Sequence, residues 1–194
     1  MPLHPIALLA ESNQPDLQPV FQILLLYEDF AGGRRANEVC QRLAVQFADD
    51  LDFEVLPWKI NLLRLPEYRE LIDADAGEAD LVVVALHEHT GPSAEVDAWL
   101  NQWTARCAGR PMALVALIDA DDDPTRGISA AIAHLHGTAT QAGIDFFHAE
   151  THATASPTAA AGRIAHRAHA STSTLTALLA MASRPSYSRW GLNE

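Results

Sequence analysis

Five short apolar runs, at 21–27, 53–58, 81–86, 112–118 and 144–147, alternate with four segments whose apolar residues recur at helical spacing. The first, third and fourth runs are apolar almost without alternation. A strand covered on both faces reads this way, and parallel sheets have that property. The repeated strand–helix order with short connections predicts a three-layer α/β domain, a doubly wound five-stranded parallel sheet joined by right-handed crossovers. The order that suits it is 2-1-3-4-5.

The helical segments carry clear stripes. Ala36, Val39, Cys40, Leu43, Ala44 and Phe47 share one face of a helix over about 34–49. Pro66 suits the first turn of a second helix reaching Ala79, because a first-turn N–H has no partner to lose. Ser93 is a plausible N-cap for a third, whose inner stripe is Val96, Trp99, Leu100, Trp103 and Cys107. Its tryptophans read as core anchors. Ile128, Ala131, Ile132, Leu135 and Ala139 mark a fourth. The run 52–59 does alternate, and its Pro57 suits an edge strand. In this topology the first helix lies across the sheet from the next three. Cys40 and Cys107 then sit on opposite faces as buried free thiols and cannot pair.

Three regions are expected. Residues 1–20, with Pro2, Pro5, Pro15 and Pro19, form an N-terminal arm. Residues 21–150 form the α/β domain, and 151–194 an Ala/Thr/Ser-rich, partly helical C-terminal extension. Either 157–170 or 172–183 supplies a last covering helix.

The chain has 194 residues, 48% of them hydrophobic, enough for a real core. With 13 basic and 25 acidic residues its net charge is −12. Such a chain repels phosphate backbones and anionic membranes, so neither nucleic acid nor membrane is an expected partner. No run of 18 apolar residues occurs, and 6–10 is too short for a secretory signal. Two cysteines and no anchor point to the cytoplasm. A protein partner or self-association, with a homodimer as one form, is the expected mode of interaction.

Ligands of such sheets bind beyond the carboxyl ends of the strands, where the strand order reverses. Here that is the crevice between the first and third strands. The first loop delivers Glu28, Asp29, Gly32 and Gly33, and the third delivers His87, Glu88, His89 and Thr90. Asp119 and Asp121 to Asp123 follow the fourth strand, and His148, Glu150 and His152 the fifth. The candidate ligand-binding set is Glu28, Asp29, Gly32, Gly33, His87, His89, Thr90 and Asp119.

Two cofactor classes fit these residue types. Asp29, His87 and His89 are candidate ligands of a divalent metal, since imidazole with carboxylate suits Zn²⁺ or Mn²⁺. Gly32 and Gly33 ahead of the first helix, with Arg34 and Arg35, suit a phosphate-bearing ligand, because free N–H groups at a helix start attract anions. Glu28 and Asp29 oppose it. Polar loops facing water explain the same residues without a ligand. The chain has no nucleotide-binding glycine motif and no G-x-S-x-G elbow. His134 and His136 face different directions on the fourth helix and read as surface residues. His166 and His169, three apart, read as part of an Ala-rich surface helix.

Over 21–150 the order of elements resembles the flavodoxin-like group, which includes bacterial response-regulator receiver domains. Glu28-Asp29 look like the acidic pair that holds Mg²⁺ in receivers. The resemblance then implies an aspartate, a Ser or Thr and a lysine where this chain has Leu86-His87, Ile118-Asp119 and Phe147-His148. The Thr- and Ser-rich phosphate loop of flavodoxins is replaced by Phe30-Ala-Gly-Gly-Arg34. A complete scaffold without a complete catalytic motif points to a non-catalytic domain acting through protein contacts or a small ligand. The rival is a metal-assisted hydrolase or transferase using Glu28, Asp29, His87, His89 and Asp119.

Overall fold

The structure, a computed structural model, describes residues 20–46, 52–87, 91–107, 109–119, 130–151 and 156–170. The strands are β1 (Val20–Tyr27), β2 (Asp52–Lys59), β3 (Leu81–His87), β4 (Ala113–Asp119) and β5 (Asp145–Thr151). The helices are α1 (Phe30–Gln46), α2 (Pro66–Glu78), α3 (Ala94–Arg106), α4 (Ala130–Ala142) and α5 (Pro157–Ala170), with a 3-10 turn at Ile60–Arg64. All neighbouring strands are parallel, in the order β2-β1-β3-β4-β5. This is the expected flavodoxin-like α/β arrangement. β2 is an edge, so Pro57 forgoes a ladder bond cheaply.

The sheet divides two cores. On one face α2, α3, α4 and the 3-10 turn cover Leu24, Leu26, Val82, Val84, Leu114 and Ala116. On the other, α1 and α5 cover Ile23, Leu25, Val83, Ala85, Val115 and Leu117. Alternate residues of the same strands feed the two cores, which explains why these runs are continuously apolar. Cys107 belongs to the first core and Cys40 to the second, both as free thiols. Complete burial pushes the Cys40 thiol up to about 12, so it is not a nucleophile near neutral pH. Trp99 and Trp103 are fully buried and stacked, with ring centroids 5.9 Å apart.

Two boundaries differ from expectation. Helix α1 begins at Phe30 rather than near 34, because Asp29 caps it and the two glycines fall inside its first turn. Strand β5 runs to Thr151 rather than ending at Phe147. Phe147 and Ala149 join the core beneath α5, while the Phe146 ring lies between those of His136 and His148. His148 and Glu150 are therefore residues of the strand itself. Of the two candidate covering helices, 157–170 forms α5, which buries Ala160, Ala161, Ile164 and Ala165 beside α1; 172–183 lies outside the described residues. Ser93 caps α3 as expected, its hydroxyl accepting from Val96 N–H at 3.4 Å. Among the described residues, no helix is long and apolar enough to cross a membrane.

Candidate functional site

Parallel β1 and β3 end side by side, with Tyr27 opposite Ala85. Their loops meet at the carboxyl edge, where strand order reverses. Glu28 N–H donates to Ala85 O at 3.2 Å, carrying the pairing one residue further. The Glu28 carboxylate then folds back and accepts the His87 backbone N–H at 2.7 Å.

Asp29 has two tasks. One carboxylate oxygen accepts the Gly32 N–H at 2.7 Å, while its carbonyl accepts from Gly33 N–H at 2.9 Å. This is N-capping, satisfying first-turn donors that no helix residue can reach. The other oxygen meets Nε2 of His87 in a direct ion-pair contact. The Gly32 N–H first, and His87 second, hold the Asp29 carboxyl below the usual carboxylate range, against a smaller opposing effect of burial. The side chains of Asp29 and His87 are 44% and 40% exposed, so water screens the pair.

Gly33 is present for a steric reason. A Cβ there would lie 2.6 Å from Cδ2 of Tyr27, so α1 approaches β1 too closely for any side chain. Gly32 has more room, a Cβ meeting Asp29 at 3.4 Å. Helix α1 starts ahead of both glycines, and the N–H groups of Gly32 and Gly33 are occupied by Asp29 itself. The phosphate of a flavin mononucleotide, the cofactor a flavodoxin-like fold suggests, does not fit this first turn. The N–H groups of Gly32 and Gly33 are engaged, and the negative charge of the Asp29 carboxylate sits beside them.

Of the sequence-derived candidates, Glu28, Asp29, Gly32 and His87 converge on one notch, together with Ala85, Leu86 and Leu117. The last three carried no polar signal; their place at strand ends was the only cue. The notch encloses about 10 Å³, the space of roughly one water, so an occupant rests on it rather than in it. Gly33 packs on Tyr27 instead of lining the notch. Asp119 is the register partner of His87 across β3 and β4, which places its backbone beside the site. Glu88, His89, Thr90, Asp121 to Asp123 and His152 lie outside the described residues. Among the described residues no three His, Cys, Asp or Glu side chains converge as metal ligands do. The sequence reading overlooked Phe30, which is 81% exposed at the start of α1 next to Asp29. An aromatic directly after a helix cap was the available signal.

His134 and His136 are exposed and turned to different partners, Asp97 and Phe146, as their spacing implied.

No protein-family model and no curated protein matches this chain. Solved structures similar to it include rubredoxin oxygen:oxidoreductase from Desulfovibrio gigas, at 14% identity and TM-score 0.48 over 77% of this chain. The match spans only 36% of that protein's length. A flavodoxin, WrbA-like protein from Agrobacterium tumefaciens matches at 12% identity and TM-score 0.48, covering 77% of this chain and 98% of the other. The flavodoxin of Streptococcus pneumoniae TIGR4 matches at 13% identity and TM-score 0.47, covering 75% and 99%. The resemblance is one of fold.

Proposed function

We propose that this chain is a non-catalytic, receiver-like or flavodoxin-like domain that works by contact at the carboxyl edge of its sheet, with a protein partner, a second copy or a small ligand. One observation carries the reading. The polar groups at the mouth of the crevice hold each other: Asp29 caps α1 and grips His87, and Glu28 grips the His87 backbone. They stiffen a platform from which Phe30 projects, and exposed aromatics are frequent anchors of protein contacts. The cytoplasm is the compartment proposed, and the net charge of −12 argues against nucleic acid or anionic membrane as the partner.

A second reading is a metal-assisted hydrolase or transferase. The direct contact between the Asp29 carboxylate and the His87 imidazole favours it, with Asp119 one strand away. Residues of this kind would hold Zn²⁺ or Mn²⁺.

Thermal unfolding of the full chain with Zn²⁺, Mn²⁺, Mg²⁺, flavin mononucleotide and nucleotides separates the two. A ligand at a hundred times its dissociation constant stabilises by about 2.7 kcal/mol. The contact-domain reading expects no shift with any metal. A Zn²⁺ or Mn²⁺ shift that disappears in His87→Gln overturns it in favour of the metal reading.

A further inference from the structure

A second surface lies away from the crevice, where α2 flanks the open edge strand β2. Three sides of α2 are already engaged or turned away. Ile72 and Ala76 enter the core. Arg69 and Asp73 face α3, donating to Gln102 and accepting from Trp99 and Arg106. Tyr68 and Asp75 face β2: the Tyr68 ring meets Trp58 edge-on at 6.4 Å, and Asp75 accepts the Trp58 indole N–H at 2.7 Å.

Leu71 lies between Tyr68 and Asp75 along the helix, one step further out, and is 53% exposed. Leu65, at the start of α2, and Tyr68 are also exposed. Together with Trp58 they form an apolar strip beside the open edge of the sheet. Among the described residues, nothing packs over this leucine in the middle of the helix face. A row of such groups next to a half-buried tryptophan has the composition of a contact site.

The charge around the strip selects the occupant. Glu67 and Glu70 flank it and are exposed. The nearby cations are otherwise engaged or turned away. Arg64 pairs with Glu95, Arg69 donates to Gln102, and Lys59 falls on the opposite face of β2 by strand alternation. A second copy of the same flank brings like charges together, and Pro57 blunts strand-to-strand pairing along the edge. An apolar strip with an acidic rim and a guarded strand edge suits a helix carrying apolar residues on one face and Lys or Arg beside them.

We propose that the α2–β2 flank is a docking surface for a basic amphipathic helix of a partner protein. The surface is separate from the carboxyl-edge crevice, and neither proposal depends on the other.

The test uses the full chain and two synthetic helical peptides of identical leucine pattern, one with lysines and one with glutamates. The lysine peptide is expected to bind, to perturb the indole N–H resonance of Trp58, and to weaken steeply as salt is raised. The glutamate peptide is expected not to bind. Leu71→Ser leaves the charge unchanged and is expected to lower affinity at least tenfold. Glu67→Gln with Glu70→Gln is expected to weaken binding and flatten its salt dependence. Equal affinity of wild type and Leu71→Ser, with no change at Trp58, reduces the attraction to net charge and overturns the proposal. Concentration-dependent self-association that Leu71→Ser abolishes overturns it in favour of a second copy. A Trp58 shift on deleting residues 171–194, without any peptide, overturns it in favour of the chain's own terminal segment. None of these outcomes involves the metals, the flavin or His87, so failure here is distinguishable from failure at the crevice.

Discussion

The two faces of the sheet are packed by different means. On the α2–α3–α4 face the helices carry large residues and are tied through their side chains: Trp99 donates to Asp73 at 2.8 Å, Trp103 to the Ala76 carbonyl at 3.3 Å, and Trp58 to Asp75 at 2.7 Å. Asp73 also takes Arg106 at 2.8 Å, locking α2 to α3. On the α1–α5 face the contact residues are small: Ala36, Val39 and Cys40 meet Ala160, Ala161, Ile164 and Ala165. Bulky indoles set a wider layer and need acceptors for their N–H groups. Alanines let helices approach closely and leave no slack. One face is therefore vulnerable to loss of volume, the other to gain of it.

The sharpest test pairs one substitution on each face. Trp99→Ala empties a fully buried site and is expected to lose about 3–5 kcal/mol of unfolding free energy in urea. Ala161→Leu, at an equally buried position, adds atoms where none fit and is expected to lose about 1–3 kcal/mol. An Ala161→Leu variant as stable as the parent would show that the α1–α5 contact has room, and the contrast between the faces would collapse.

Glycines sharpen the same contrast with opposite signs. Gly33→Ala puts a methyl 2.6 Å from the Tyr27 ring and is expected to destabilise by roughly 1–3 kcal/mol, less when Tyr27 is also shortened to Leu. Gly77 lies in α2, and a Cβ there meets nothing within 4 Å. Gly77→Ala is expected to gain about 0.5–1 kcal/mol, since alanine restricts the unfolded chain and favours the helix. Matching signs for the two substitutions, read by thermal unfolding, would contradict the close approach of α1 to β1.

The strand order was legible because it follows from periodicity: unbroken apolar runs such as 81–86 require burial on both sides, and Pro57 marks an edge. The opposed placement of Cys40 and Cys107 followed from that order. The start of α1 was less legible. Gly32 and Gly33 read locally as a loop, and the cap that draws them into the helix depends on Asp29, whose second oxygen is held by His87, 58 residues away. The Trp58–Asp75 tie and the exposure of Leu71 were likewise invisible, since both depend on how α2 rolls over β2. At the crevice the sequence brought acids and an imidazole to one edge, but did not reveal that they are turned on one another. Pairing between distant residues leaves no trace in local pattern.

Two aspartates tie the sheet at opposite edges. Asp29, at the carboxyl edge, fastens the tip of α1; Asp29→Ala is expected to lose about 0.5–2 kcal/mol, as for other helix caps. Its folded-state carboxyl lies below the ordinary value of 3.8, so its contribution is fully present above that value and is lost as pH falls through the lowered one. Asn at 29 keeps a capping oxygen and removes the charge, so Asp29→Asn is expected to flatten this acid-side decline with less loss at neutral pH. Asp80, at the amino edge, behaves in the opposite sense. It accepts the Gln22 N–H at 3.0 Å and donates its own N–H to Gln22 O at 2.9 Å, joining β1 to the start of β3. Burial raises its carboxyl above 3.8, more than the Gln22 N–H and the Arg110 guanidinium lower it. A raised carboxyl holds its proton more tightly when folded, so stability falls as pH rises from 3.8 through the raised value. Asp80→Asn is then expected to leave the parent's acid-side stability nearly unchanged and to gain slightly at neutral pH. Urea midpoints of the parent and both Asn variants between pH 3 and 7 read both signs at once. Parallel pH profiles for the two variants would mean that the edges are electrostatically alike, and that the charge of Asp29 adds nothing to its cap.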